Sequence, residues 1–173
     1  MSYFQYAEGL TKDLKAHLLD ATLDPTFAAV LSACNSMWGD DITLPVIPAD
    51  RIHRAMPSRL ILNATPADVP ALFITPQDAA EQQPRPAGRN VWAGNYEVYL
   101  TYADTADHDD ILTRMCWRYT QAIAEFFRRH STLGGDVQAL LVRGFIYGPI
   151  YFDPASLFAD MTVRLEIRKQ EHD

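Results

Sequence analysis

Three carboxylates, an imidazole and a thiol fall within the eleven residues Ala106 to Cys116, ADHDDILTRMC. Asp107, His108, Asp109 and Cys116 are chemically able to bind a metal ion or move protons, provided the backbone brings them together. The same spacing also fits the entrance to a helix. Asp107 suits an N-cap, Asp110 stands three positions on, and negative charge is stabilised beside the unpaired N–H groups of a first turn. Cys116 lies more than two helical turns beyond Asp107, on the apolar stripe that follows, so the capping reading is preferred.

The remaining chemistry is scattered. Cys34 and Cys116 have no metal-like spacing, and both are expected as free thiols on apolar helix stripes. A cysteine hydrolase would need one of them beside His17, His53, His108 or His130, but neither cysteine sits at a glycine-rich turn or a helix N-terminus that would lower its pKa. No phosphate-cradling glycine motif and no nucleophile elbow occurs. No catalytic, cofactor-binding or metal-ligating residue is assigned. Arginine supplies the other signal: Arg114, Arg118, Arg128 and Arg129 line one side of the helix, and Arg164, Glu166 and Arg168 alternate along a strand. These seven residues are the expected subunit interface, against a simpler reading as solvated faces with pairs such as Glu125 with Arg118 or Arg129.

The elements that must position them follow from periodicity. Phe4, Ala7, Leu10, Leu14 and Leu18 mark a first amphipathic helix. A second follows Asp24-Pro25, with the acid as cap, and aligns Phe27, Val30, Leu31, Cys34 and Met37 before ending near Trp38-Gly39. Prolines between 40 and 95 predict loops, with short extended pieces at Arg59–Leu62 and between Pro70 and Pro76. Residues 77–91 read as a mobile exposed loop. Tyr96 to Tyr102 alternates as a half-buried strand, and residues 107–130 form the strongest helix. Val137 to Tyr147 reads as a strand bulged at Arg143-Gly144. Gly148-Pro149 and Asp153-Pro154 mark a connection, and Phe158 to Lys169 alternates cleanly.

The fold class is therefore α+β: a mainly antiparallel four-stranded sheet in ββαββ order, a long helix on one face, and N-terminal helices. One domain spans 1–173, with a proline-rich insertion or arm at about 39–69. Fifteen basic and twenty-two acidic residues give a formal charge of -7, which disfavours a tight grip on nucleic acid. No stretch approaches the roughly 18 apolar residues of a membrane span, and the first residues form no signal sequence.

PALFITP, YEVYLTYA, the helix from Asp107, VQALLVRGFIYG and FADMTVRLEIRKQ, preceded by an N-terminal helix, together resemble the bacteriophage tail terminator or tail-completion family, most strongly from residue 70 onward. The resemblance rests on element order and texture. It implies a structural virion protein assembled in the host cytoplasm, with no cofactor and no catalytic residues. Such a protein forms a ring, usually a hexamer, at the head-proximal end of the tail. Its partners are copies of itself, the tail tube protein and a neck or head-completion protein, and DNA passes the lumen without specific binding. A head–tail connector, a small metal- or cysteine-dependent hydrolase and a non-viral interaction module using the arginine face are the rival readings.

Overall fold

The computed structural model describes residues 3–54, 68–82, 91–105, 109–153 and 156–170. Helix α1 (Tyr3–Leu19) buries Ala7, Leu10, Leu14 and Leu18, as their spacing predicts. Helix α2 (Phe27–Trp38) buries Phe27, Val30, Leu31 and Cys34. Its cap is Thr26 and not Asp24: the Thr26 hydroxyl accepts from the Ala29 N–H at 3.1 Å. Its end is the predicted one, with Gly39 in the left-handed region at φ 60°. Met37 leaves the buried stripe and is 58% exposed, because it lies in the last turn, beyond the layer that covers Cys34.

The sheet has five strands and is mixed. Strands β1 (Ile52–His53), β2 (Ala71–Gln82), β3 (Val91–Thr105), β4 (Ala139–Asp153) and β5 (Ser156–Gln170) stand in the order β1-β2-β3-β5-β4. The expected four antiparallel strands in ββαββ order thus need correction, since β1 adds a fifth, pairing parallel to β2 through Ile52 with Leu72 and His53 with Phe73. A two-residue strand leaves too short a pattern for periodicity to register. The other three pairings are antiparallel.

Two boundaries also move. Residues 77–82 belong to β2, which continues past Pro76 through an irregularity between Pro76 and Asp78. Gly148-Pro149 ends nothing either, because β4 runs on to Asp153 through a second register shift between Tyr147 and Ile150. Both prolines sit on strands at or near a sheet edge, where a missing donor is tolerated. The extended piece at Arg59–Leu62 lies outside the described residues.

Helix α3 (Asp109–Arg129) crosses the sheet against β3, β4 and β5, while α2 packs on α3 and α1 on β2. The core lies in between, where Tyr119, Ile123, Phe126 and Phe127 meet Val98, Leu100, Val163, Leu165 and Ile167. Each of these large apolar side chains contributes roughly 1.5–3 kcal/mol by leaving water. A smaller cluster joins Leu112 and Cys116 to Leu157, Ala159 and Met161.

The chain between α2 and β1 is a strap over this layer. Leu44, Ile47 and Ile52 are buried, and the Asn35 side chain bonds both the N–H and the carbonyl of Leu44. Tyr119 Oη donates to the Pro45 carbonyl at 2.5 Å, and Lys15 Nζ to that of Ile52 at 2.5 Å. Residues 39–54 are thereby tied to the domain. No described helix is long and apolar enough to cross a membrane.

Candidate functional site

The acidic cluster splits at the edge of what the structure describes. Asp107 and His108, and with them the capping expectation, lie outside the described residues, while Asp109 opens α3 and Asp110 is exposed. Among the described residues no group of three or more His, Cys, Asp or Glu side chains is placed to hold a metal ion.

Both thiols are free and buried. Burial pushes the Cys116 thiol up to about 12, reinforced by Asp160, and raises Cys34 with help from Glu125. None of the groups acting on either thiol is a histidine. The described histidines pack instead: His17 and His130 lie ring to ring at 5.3 Å, and His53 stacks on Phe73 at 5.1 Å. Burial, and then His130, lowers the pKa of His17.

The arginines do not form one free face. Arg118 is 3% exposed, so its expected place on a solvated or docking surface is corrected. Its guanidinium grips Asp40 with two bonds, Nη1 to Oδ1 at 2.8 Å and Nη2 to Oδ2 at 2.5 Å, and Nη1 also donates to the Ile42 carbonyl at 3.0 Å. Arg114 reaches the same carboxylate from one turn earlier. The Arg118 hydrogen bonds above all, with the Ile42 N–H and the charges of both arginines, draw the Asp40 pKa down to about 2 against its desolvation. Trp38 lies against the other side of Arg118, 5.1 Å from ring to guanidinium carbon. This clasp fastens the strap to α3. Arg129 pairs with Glu125 on its own helix, as expected, at 2.7 Å, whereas Arg128 is exposed and makes no ion pair among the described residues.

On the opposite face of the sheet, Glu166 pairs with Arg143 at 2.6 Å and Arg168 at 2.7 Å, and Arg164 pairs with Glu97 at 3.2 Å. Burial works against the charge on Glu166, but its arginine partners outweigh it and lower its pKa. The structure does not join this row to the α3 arginines. The two sets stand on opposite faces of the sheet.

The feature that the sequence alone does not single out is a groove of about 550 Å³ between α3, β4 and the end of α2, lined by Trp38, Trp117, Arg128, Phe145 and Tyr147 among others. Trp117 and Tyr147 meet edge to face with ring centroids 6.4 Å apart. The bulge at Arg143 makes this possible. Leu140 and Val142 oppose Ile167 and Leu165 on the helix side, and beyond the extra residue Phe145 and Tyr147 oppose Val163 and Met161, again on the helix side. Unbroken alternation would have turned Gly144 and Ile146 inward.

No protein-family model matches the chain, and no curated protein matches it in sequence.

Of the large hydrophobic side chains that stand exposed among the described residues, Trp38, Trp117, Phe145 and Tyr147 line this groove, while Leu141 and Ile146 stand on the other face of the same strand. Strand β4 is also the last in the sheet, so its outer edge has no strand against it among the described residues. An aromatic groove with arginine at its rim, beside an open strand edge, has the composition of a protein interface.

Proposed function

We propose that this chain is a structural virion protein of a phage tail, a terminator whose subunits form a homo-oligomeric ring on the head-proximal end of the tail tube. The ring stops tube growth and offers a joint to the neck. What carries the reading is the gathering of the exposed aromatic side chains Trp38, Trp117, Phe145 and Tyr147 in one groove, at α3, β4 and the end of α2. An assembling subunit needs such a flank. The element order by which the sequence resembles the terminator family agrees with this role, and buried thiols with raised pKa values give no support to a cysteine hydrolase.

The mechanism is geometric. A subunit that matches the growing end of the tube on one side, and presents nothing complementary to the next tube ring on the other, ends polymerisation without chemistry. The chain's acidic balance suits a ring whose lumen DNA must traverse without sticking. Native mass spectrometry is expected to show a ring, six subunits being the expected number, and addition of the protein to growing tail tubes is expected to halt elongation. A protein that stays monomeric alone and leaves tube length unchanged rejects the proposal.

A further inference from the structure

We infer that neighbouring subunits join head to tail by continuing the sheet, the free edge of β4 in one copy pairing with the free edge of β2 in a second copy. This rests on the ring reading above and names the interface within it.

The sheet leaves two open edges. Among the described residues, β4 is flanked at one only by β5, and at the other β1 pairs with β2 at Leu72 and Phe73 and no strand pairs with Ile74–Gln82 on that side. With β2–β3, β3–β5 and β5–β4 all antiparallel, β2 and β4 run in opposite directions. A second copy rotated about an axis along the strands therefore brings its β2 antiparallel to β4, so each copy can add the next until the ring closes.

Charge distinguishes this arrangement from a two-fold pairing of β4 with itself. Among the described side chains, Arg143 is the charged one of β4, half exposed, and Asp78 is the charged one of the β2 stretch beyond Phe73. Self-pairing about Arg143 opposes like charges; pairing with β2 opposes unlike ones.

The helix layer agrees. Helix α1 packs on β2, and α3 packs on β4, so sheet continuation lays the second copy's α1 alongside α3, over the aromatic groove. The outward side of α1 carries Glu8, Lys12, Ala16 and Leu19 in one stripe, and Leu19 is itself an exposed apolar side chain at 39%. A leucine facing Trp117 and Tyr147 gives the groove an occupant of fitting chemistry.

Reversing the charges tests the pairing on the full-length chain. Arg143→Glu and Asp78→Arg are each expected to reduce the ring fraction by more than about tenfold in native mass spectrometry. The two single variants mixed together are expected to assemble again, into rings in which they alternate, because every junction then joins either two wild-type edges or two reversed ones. The double variant is expected to re-form the ring, which misfolding cannot mimic. Rings that survive both single reversals overturn the inference while leaving the ring itself standing, and so does a closed dimer in which hydrogen exchange protects β4 but not Ile74–Gln82. A wild-type chain that neither assembles nor caps tubes rejects the functional reading instead.

Discussion

Asp40 carries more of the local architecture than its place in an exposed turn suggests. Its carboxylate is the counter-ion of Arg118, a guanidinium with only 4% of its side chain exposed, and it is shared with Arg114. A buried guanidinium without its partner is costly, so the clasp works by preventing a penalty as much as by adding attraction. Asp40→Asn is expected to lower the melting midpoint at neutral pH, and Arg118→Lys is expected to do the same, because an ammonium cannot make the two-pronged contact. The folded pKa of Asp40, about 2, lies below its ordinary value of 3.8, so the stabilisation is complete above pH 3.8 and is lost as pH falls through about 2. The gap in melting midpoint between wild type and Asp40→Asn is accordingly expected to close over that acidic window. A gap that persists unchanged at pH 2 would show that the asparagine acts through packing and not charge.

At the scale of elements, β4 shows how an edge strand absorbs residues that look like punctuation. Gly148 sits at its second irregularity, where a Cβ would come 3.0 Å from the Asp160 backbone oxygen. The position is closed by a neighbouring strand's backbone, which cannot swing aside as a side chain does. Gly148→Ala is expected to cost about 1–3 kcal/mol in denaturant unfolding, in line with overpacking elsewhere; a neutral result would mean that the strand shifts freely there. The same strand marks the limit of what the sequence discloses. Long regular periods were legible: the stripes of α1, α2 and α3, the alternation of β5, and the bulge at Arg143-Gly144, which a mismatch in alternation betrays. Gly148-Pro149 and Pro76 misled, because proline excludes a central strand but not an edge, and edge position is a tertiary fact. The strap was hidden for a related reason. Leu44, Ile47 and Ile52 are too irregularly spaced to show a period, and Asp40 finds Arg118 across 78 positions of chain. The groove needed both a bulge and a helix crossing before its aromatics met. Pattern within one element could not reveal it.

For the whole molecule, the question is how far the exposed flank couples folding to association. A single subunit places Trp38, Trp117 and Tyr147 at 52%, 52% and 55% exposure, the highest values among its described aromatic side chains, on the same flank as the β4 edge. A monomer pays for that surface in solubility, and an assembled subunit recovers it by burial at roughly 25 cal/mol per Å² of apolar area, before the cost of association is subtracted. Because the native fold alone presents this flank, association must stabilise folding by mass action, and the stabilisation grows with the logarithm of subunit concentration. The melting midpoint is therefore expected to rise as protein concentration is raised from about 1 to about 100 μM, the range over which a micromolar interface fills. Tryptophan emission is expected to shift to shorter wavelength in parallel, as Trp117 leaves water. In Arg143→Glu, which keeps the groove but reverses the charge at the edge, the midpoint is expected to be independent of concentration and the emission to stay red. A concentration-independent midpoint in the wild-type chain, with both tryptophans still fully quenchable by iodide at the highest concentration, would assign the flank to a partner other than a second copy.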